Sequence, residues 1–441
     1  MAQTRICIVG GGSYNWSPII LRDLAALPDL SGTIVLHDIA PEALEDIQQL
    51  GRAIMAATGA QFTIEATTNL EAALRGAEFV IVTITTGGLE AMRHDLEIPR
   101  RYGIAQSVGD TVGPGGLSRA LRNIPPMLEI ARTMERVCPD AWLLNLTNPM
   151  TALTRAISKT TKLKVIGLCH ELFGVRATLR EMFGATNDEI SVRVAGVNHL
   201  IWLLDLQIRG QDGLQMIREY VAAGKAAPVK ATSGTFLSPF QDRWQVKLAL
   251  LDVFGALPAA GDRHVAEFFP YFLTESTHMG EDYGVLLTEI PHREEVARVA
   301  RANVRSWLNG SKPLATARSE EHVADIIAAV ANGRSIHTIV NLPNAGQIDN
   351  LPREAVVETM GMVGPTGAHG VSVGALPPGV LNTVAPHVLN QEMIVEAALT
   401  GDRALALQAL LNDPLVRDFR TAPRMLDELL RAHAALLPQF A

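Results

Sequence analysis

Cysteine is scarce: Cys7, Cys138 and Cys169 are the three in 441 residues. They are too few and too scattered for a disulfide framework, which points to a reducing compartment, the cytoplasm. The basic excess that binding to phosphate backbones requires is missing as well, since 46 acidic side chains outnumber 38 basic ones for a formal charge of −8. Nucleic acid is therefore excluded as a partner. There is no long hydrophobic run. The opening apolar stretch Ile6–Val9 stops at glycines, short of a signal-peptide core and far short of a bilayer span, so neither export nor a membrane is expected. Internal repeats and low-complexity linkers are absent too, and composition marks no domain boundary. With 48% hydrophobic residues the chain can nonetheless bury a large core, and its length divides most naturally into two domains.

What is present is an alternation of apolar strands and amphipathic segments. Arg5-Ile-Cys-Ile-Val9 runs into Gly10-Gly-Gly-Ser13, and helical spacing follows from Ser17 to Leu27. A second strand, Thr33-Ile-Val-Leu-His37, ends at Asp38, and Pro41 opens a helix reaching Thr58. Phe79–Ile84, Trp142–Leu146 and Lys164–Leu168 read as further buried strands of a parallel sheet. Each stops at a loop, Thr85-Thr-Gly-Gly88, Thr147-Asn-Pro149 or Cys169-His170, where a doubly wound sheet places its ligands. Beyond Gly196 the pattern is less regular, with a strand over Leu200–Ile208, several helical segments and a helical tail from Asn390. The expected fold is α/β: an N-terminal Rossmann-type doubly wound parallel sheet over 1–195, then a C-terminal α+β domain over 196–441 for substrate, metal and oligomer contacts. That arrangement is like the lactate and malate dehydrogenases.

Gly10, Gly11, Gly12 and Ser13 match the start of a dinucleotide fingerprint, although Asn15 stands where its third glycine belongs. Asp38, at the end of the second strand, suits the two ribose hydroxyls of NAD and repels the 2′-phosphate of NADP. Thr85 lies on a neighbouring strand end. Cys169 is either a buried core thiol or a thiolate ligand; pairing it with His199 of Gly196-Val-Asn-His199 gives a sulfur and an imidazole with coordination positions left open, as a catalytic metal requires. Asn148 either caps the helix starting near Pro149 or holds a substrate hydroxyl. Gly113-Pro-Gly-Gly116, after Asp110, is a structural turn or a helix N-terminus attracting an anion. Asp262, beside Arg263 and His264, is a candidate base with a tuned pKa. Among Arg93, Arg100, Arg101 and Arg119, one or two suit capture of a carboxylate.

Taken together, Gly10-Gly-Gly-Ser13, Asp38, Asn145-Leu-Thr-Asn-Pro149, Cys169-His170-Glu171, Gly196-Val-Asn-His199 and Asn341-Leu-Pro343 resemble, in order and spread, the family 4 glycoside hydrolases, glycosidases that use NAD and a divalent metal. The strings Gln106-Ser-Val-Gly-Asp-Thr-Val-Gly-Pro-Gly-Gly116, Cys169-His-Glu-Leu-Phe-Gly174 and Ala259-Ala-Gly-Asp-Arg-His-Val-Ala-Glu-Phe268 look most like the α-galacturonidase subgroup. Where many relatives carry a glutamate before the Gly-Pro-Gly-Gly turn, this chain has Asp110, a shorter acid.

The resemblance implies that NAD takes hydride from sugar C3 and that the C2 proton is then removed. The aglycone leaves, water adds, and the same NADH returns its hydride. Cys169 and His199 would ligate Mn²⁺ or a similar ion. Asp262 would be the C2 base, and His170 and Glu171 would contact substrate or protonate the leaving group. Asn148, Asp110, Arg93, Arg263 and His264 would bind the sugar. A small carbohydrate is the expected partner, within a homodimer or homotetramer. The alternatives are an α-glucosidase or α-glucuronidase of the same family, a simple NAD-dependent 2-hydroxy-acid dehydrogenase, or a non-catalytic NAD-binding protein.

Overall fold

The computed structural model describes residues 1–231 and 240–441. Residues 1–185 hold six strands: β1 (Ala2–Val9), β2 (Leu30–His37), β3 (Gln61–Thr67), β4 (Phe79–Val82), β5 (Trp142–Asn145) and β6 (Lys164–Gly167). All are parallel, in the order β3-β2-β1-β4-β5-β6, so the doubly wound sheet reverses direction between β1 and β4. Val9 pairs with both His37 and Val82, so the loops after β1, β2 and β4 leave the sheet level with one another.

Alternation along β1 explains how both faces become buried. Ile6 and Ile8 pack with Leu21, Ile47 and Leu50 of the helices Trp16–Ala25 and Pro41–Thr58, whereas Cys7 and Val9 face Leu121, Ile124 and Leu153 of the helices Gly113–Val137 and Met150–Thr160. Burying each such aliphatic side chain contributes about 1.5–3 kcal/mol; Ile8→Ala, at a fully buried position, would cost about 2–5 kcal/mol. Cys7 is thus a core thiol. The helix Pro41–Thr58 has its proline in the first turn and stops at Gly59, whose φ of +75° lets its N–H reach the Met55 carbonyl.

The second half does not stand apart. The strand Ile336–Pro343 adds antiparallel to β6 through Asn341 and Gly167, and the sheet continues through Val356–Gly364, β7 (Ile190–Val197), β8 (Leu200–Ile208) and Leu257–Pro258. The 195/196 division falls inside β7. Val304, Val323 and Ile327 cover one face of the first-half sheet, and Ile394, Leu410 and Leu426 cover the other.

Three local expectations change. β3 was not foreseen, because Gln61, Thr63 and Glu65 alternate with Phe62 and Ile64 in the manner of an edge strand exposed on one side. The Gly-Pro-Gly-Gly segment is itself the first turn of its helix: a Cβ at Gly116 would lie 2.5 Å from the Thr111 carbonyl carbon, so the glycine permits close packing. The C-terminal helix begins at Pro378 rather than Asn390, and carries Pro386 within it, a residue that reads in sequence as a breaker. Among the described residues no helix is long and apolar enough to cross a membrane.

Candidate active site

The turn after β1 is shaped by what lies against it. A Cβ on Gly10, at φ +88°, would sit 2.1 Å from the Thr83 carbonyl oxygen, and one on Gly12 would meet the Asp38 carboxylate at 2.9 Å. The Gly12 N–H donates to Asp38 Oδ2 at 2.9 Å and the Ala40 N–H to Oδ1 at 3.0 Å, which aims the carboxylate across the turn. Ser13 Oγ accepts the Trp16 N–H at 3.1 Å and so caps the following helix, a task Asn15 does not perform. Glycine turn, acid and helix N-terminus are arranged so that they could hold a dinucleotide.

On the neighbouring strand ends a second cluster gathers. Ligand atoms of Asp110, His199 and His264 lie within 4.8 Å of one another. The His199 and His264 rings are 3.7 Å apart between centroids. Thr111 Oγ1 is 2.7 Å from Asp110 Oδ1 and 2.7 Å from His199 Nδ1. An ionised carboxylate only accepts, so the hydroxyl proton goes to Asp110, His199 Nδ1–H donates to Thr111, and the Nε2 lone pair of His199 is left free. Burial, then the adjacent His264 ring, hold His199 down to about 3, so it is neutral near pH 7. Burial opposes the charge on Asp110, but His264, His199 and Arg119 outweigh it and keep the carboxyl below its ordinary range. His264 is lowered by burial, and its buried Nδ1 has no hydrogen-bond partner. One carboxylate and two neutral imidazoles, one with an orphaned nitrogen, fit a divalent cation.

Cys169 lies outside that three-residue set. Its thiol, hydrogen-bonded by the Glu171 N–H and Asn198, is pushed up by burial and by the Glu358 and Glu171 carboxylates. Glu171 Oε2 accepts the Gly261 N–H at 2.5 Å, and His170 sits between Glu171 at 3.6 Å and Glu321 at 3.4 Å. Asn148 does not cap its helix, whose N-cap is Pro149; its Nδ2 approaches Asp110 Oδ2 at 3.5 Å and its Oδ1 is buried without a partner. Asp262 is placed differently from a free base. It is 2% exposed and ion-paired to the fully buried Lys247 at 2.9 Å, with Asp242 on the other side of the same ammonium at 2.6 Å. The helix N-terminus at Gly113 is likewise occupied, by the carboxylate of Asp413 at 2.8 Å, so the chain itself supplies the anion.

Models of the family 4 glycosyl hydrolases match residues 5–185, and models of their C-terminal domain match residues 194–416. The chain belongs to this family. An α-galacturonidase of Bacillus subtilis is 36% identical to this family 4 hydrolase over 97% of each chain. The crystal structure of a B. subtilis protein, also 36% identical, superposes with a TM-score of 0.89 over 98% of this chain and 100% of that one. A 6-phospho-α-glucosidase from gut microorganisms, solved in complex with NAD and Mn²⁺, shares the fold with a TM-score of 0.85 at 21% identity over 100% of both chains.

The arginines of this family 4 hydrolase divide by partner. Arg93 is spent on the surface carboxylates of Glu90, Glu97 and Glu294. Arg263 is buried and donates to the Leu286 carbonyl at 2.9 Å and Thr288 Oγ1 at 2.6 Å, with its guanidinium 3.4 Å from the Phe240 ring centre. Both are therefore committed to the protein. Arg119 reaches the Asn148 carbonyl at 3.1 Å and Thr85 Oγ1 at 3.3 Å, tying two site loops together. Arg293, which no motif marks, lines a cavity of about 1050 Å³ bounded also by Asn15, Trp16, His170, Glu171 and Gly261. Its Nε is buried with no partner, and it adds positive charge beside Asp110. Burial lowers its pKa, and Asp110 opposes that shift.

Proposed function

We propose that this family 4 hydrolase cleaves α-galacturonides, with NAD on the turn Gly10–Ser13 and a divalent ion such as Mn²⁺ among Asp110, His199, His264 and Cys169. The carrying observation is the carboxylate and imidazole cluster; the nearby cavity is lined by Tyr14 and Asn15, which follow the glycine turn, and by Gly261, three residues before His264. The α-galacturonidase relative supports the choice of sugar. When bound, the two groups supply reversible oxidation of the sugar at C3 and stabilisation of negative charge after C2 deprotonation.

The chain's own residues do the rest. Asp38 holds the adenosine ribose. Thr111 orients His199 so that its Nε2 lone pair is free to hold an ion, and a dication held by Cys169 would offset the burial and carboxylate charge that keep its thiol protonated. Asn148, with its free Oδ1, holds a sugar hydroxyl. In this reading Asp262 is the C2 base, a role that requires its carboxylate to be released from Lys247 and from the Val246 and Lys247 N–H groups, while Glu171 and His170 serve the leaving group. Arg293 receives the C6 carboxylate. The working form is a cytoplasmic homodimer or homotetramer, which light scattering checks.

Kinetics with nitrophenyl α-galacturonide, α-galactoside and α-glucuronide, in NAD, Mn²⁺ and reductant, test the reading. The galacturonide should be preferred over the galactoside by about a hundredfold, the range a missing charged partner commands, with no NADH accumulating. Equal efficiency on the galactoside would end the uronide reading, and net NADH release would favour a dehydrogenase.

A further inference from the structure

The loop that carries Asp110 and Thr111 is fixed from behind by a residue to which the sequence assigns no role. Glu267 is fully buried. Its Oε1 accepts the Val108 N–H at 2.7 Å and the Gly109 N–H at 2.8 Å, while its Oε2 has no partner. Just before them, Ser107 donates its hydroxyl to the Arg263 carbonyl at 2.5 Å, and the Ser107 carbonyl accepts from Thr288 Oγ1 at 2.8 Å and from the Arg263 guanidinium. Gly109, at φ +73°, sits where a Cβ would press 2.5 Å from Leu96 Cδ2, so the loop is closed in from the other side too.

We propose that Glu267 is a positioning residue for the metal site: it fixes the peptides of Val108 and Gly109, and thereby the direction in which Asp110 and Thr111 meet His199. Two adjacent buried N–H groups share this single acceptor oxygen. Without it they turn toward another acceptor, and the next peptide, that of Asp110, turns with them. The effect reaches the ion through Thr111, whose hydroxyl sets the His199 tautomer. Partners at this remove from a metal typically change its affinity about 10–100-fold. A glutamine amide oxygen can take both N–H groups, and its NH₂ would replace the oxygen that has no partner.

The inference rests on the metal reading of the cluster, and calorimetric Mn²⁺ titration of the unaltered full chain tests that first: no binding there fells the reading itself. Given binding, Glu267→Ala should weaken Mn²⁺ by about 10–100-fold with NAD affinity unchanged, and Glu267→Gln should restore most of the loss. Unchanged Mn²⁺ affinity in a folded Glu267→Ala, a glutamine as weak as alanine, or parallel loss of NAD affinity would each overturn it. Should Glu267→Ala fail to fold, Glu267→Asp carries the test, since the shorter acid draws its oxygen back from both N–H groups. About fivefold weaker Mn²⁺ is then expected, and wild-type affinity would overturn the proposal.

Discussion

Around Gly10–Asp38 the candidate cofactor surface is mostly backbone, whereas the candidate metal site around Asp110, His199 and His264 is side chain. The cradle is made by one turn and the next strand end, and it needs glycine because carbonyl and carboxylate oxygens crowd the places where Cβ atoms would be. The imidazole cluster instead draws on three separated segments, each held by a different neighbour: Asp110 and Thr111 by the Glu267 bracket, His199 by Thr111, and His264 by the helix Asp262–Ala266. A surface made of backbone is sensitive to added volume. One made of side chains is sensitive to the loss of single polar atoms.

That contrast can be broken from either side. The largest effect is expected from Gly10→Ala, whose methyl cannot coexist with the Thr83 carbonyl; NAD binding, followed by calorimetry, should be lost altogether, and a normal affinity would mean the turn is not the cradle. His199→Ala should reduce kcat by at least about a thousandfold and abolish Mn²⁺ binding while NAD still binds. Simultaneous loss of NAD would show that the two regions are one. Thr111→Val, which keeps shape but removes the bridging hydroxyl, should weaken Mn²⁺ by about 10–100-fold, with Thr111→Ser near the parent.

Stability should also depend on pH with a sign for each kind of group. Burial holds native His199 at about 3 and His387 at about 4, below the unfolded imidazole value of about 6.5. Their contribution is complete above that value and is lost as pH falls toward 4, because the unfolded chain takes up the protons. Burial raises Glu267 to about 8 and Glu358 to about 7, so their contribution is complete below the ordinary carboxylate range and is lost as pH rises toward 8. Tm measured from about pH 4 to about pH 9 should show both limbs, and Glu267→Gln should flatten the alkaline one. The smallest effect is expected from Arg93→Ala: kcat/KM on the galacturonide should change less than about twofold, since that guanidinium is engaged at the surface.

Asp262 and Arg263 show why the site was only partly legible. Both stand in the expected string, but Lys247 arrives from fifteen residues earlier to neutralise one, and Ser107, Leu286 and Thr288 converge on the other. Arg293 lies in no motif, and Glu267, although inside the string Ala259–Phe268, shows no role there, because an arginine or glutamate in a helical context is ordinarily a solvated surface group. An unpartnered buried nitrogen or a doubly accepting buried carboxylate appears only when distant segments close over it.

Sequence alone settled the parallel α/β half, the glycine turn with Asp38, and the family, because strand runs, glycine spacing and short motifs are local and repeat at fixed intervals. Tertiary structure alone decided that both halves share one sheet, that Asp110 and His264 join His199 while Cys169 stands outside the trio, and that a buried lysine restrains Asp262. Those outcomes depend on which side chains are brought within a few ångströms across long chain separations, and there a charge is kept, paired or suppressed by neighbours that no local pattern encodes.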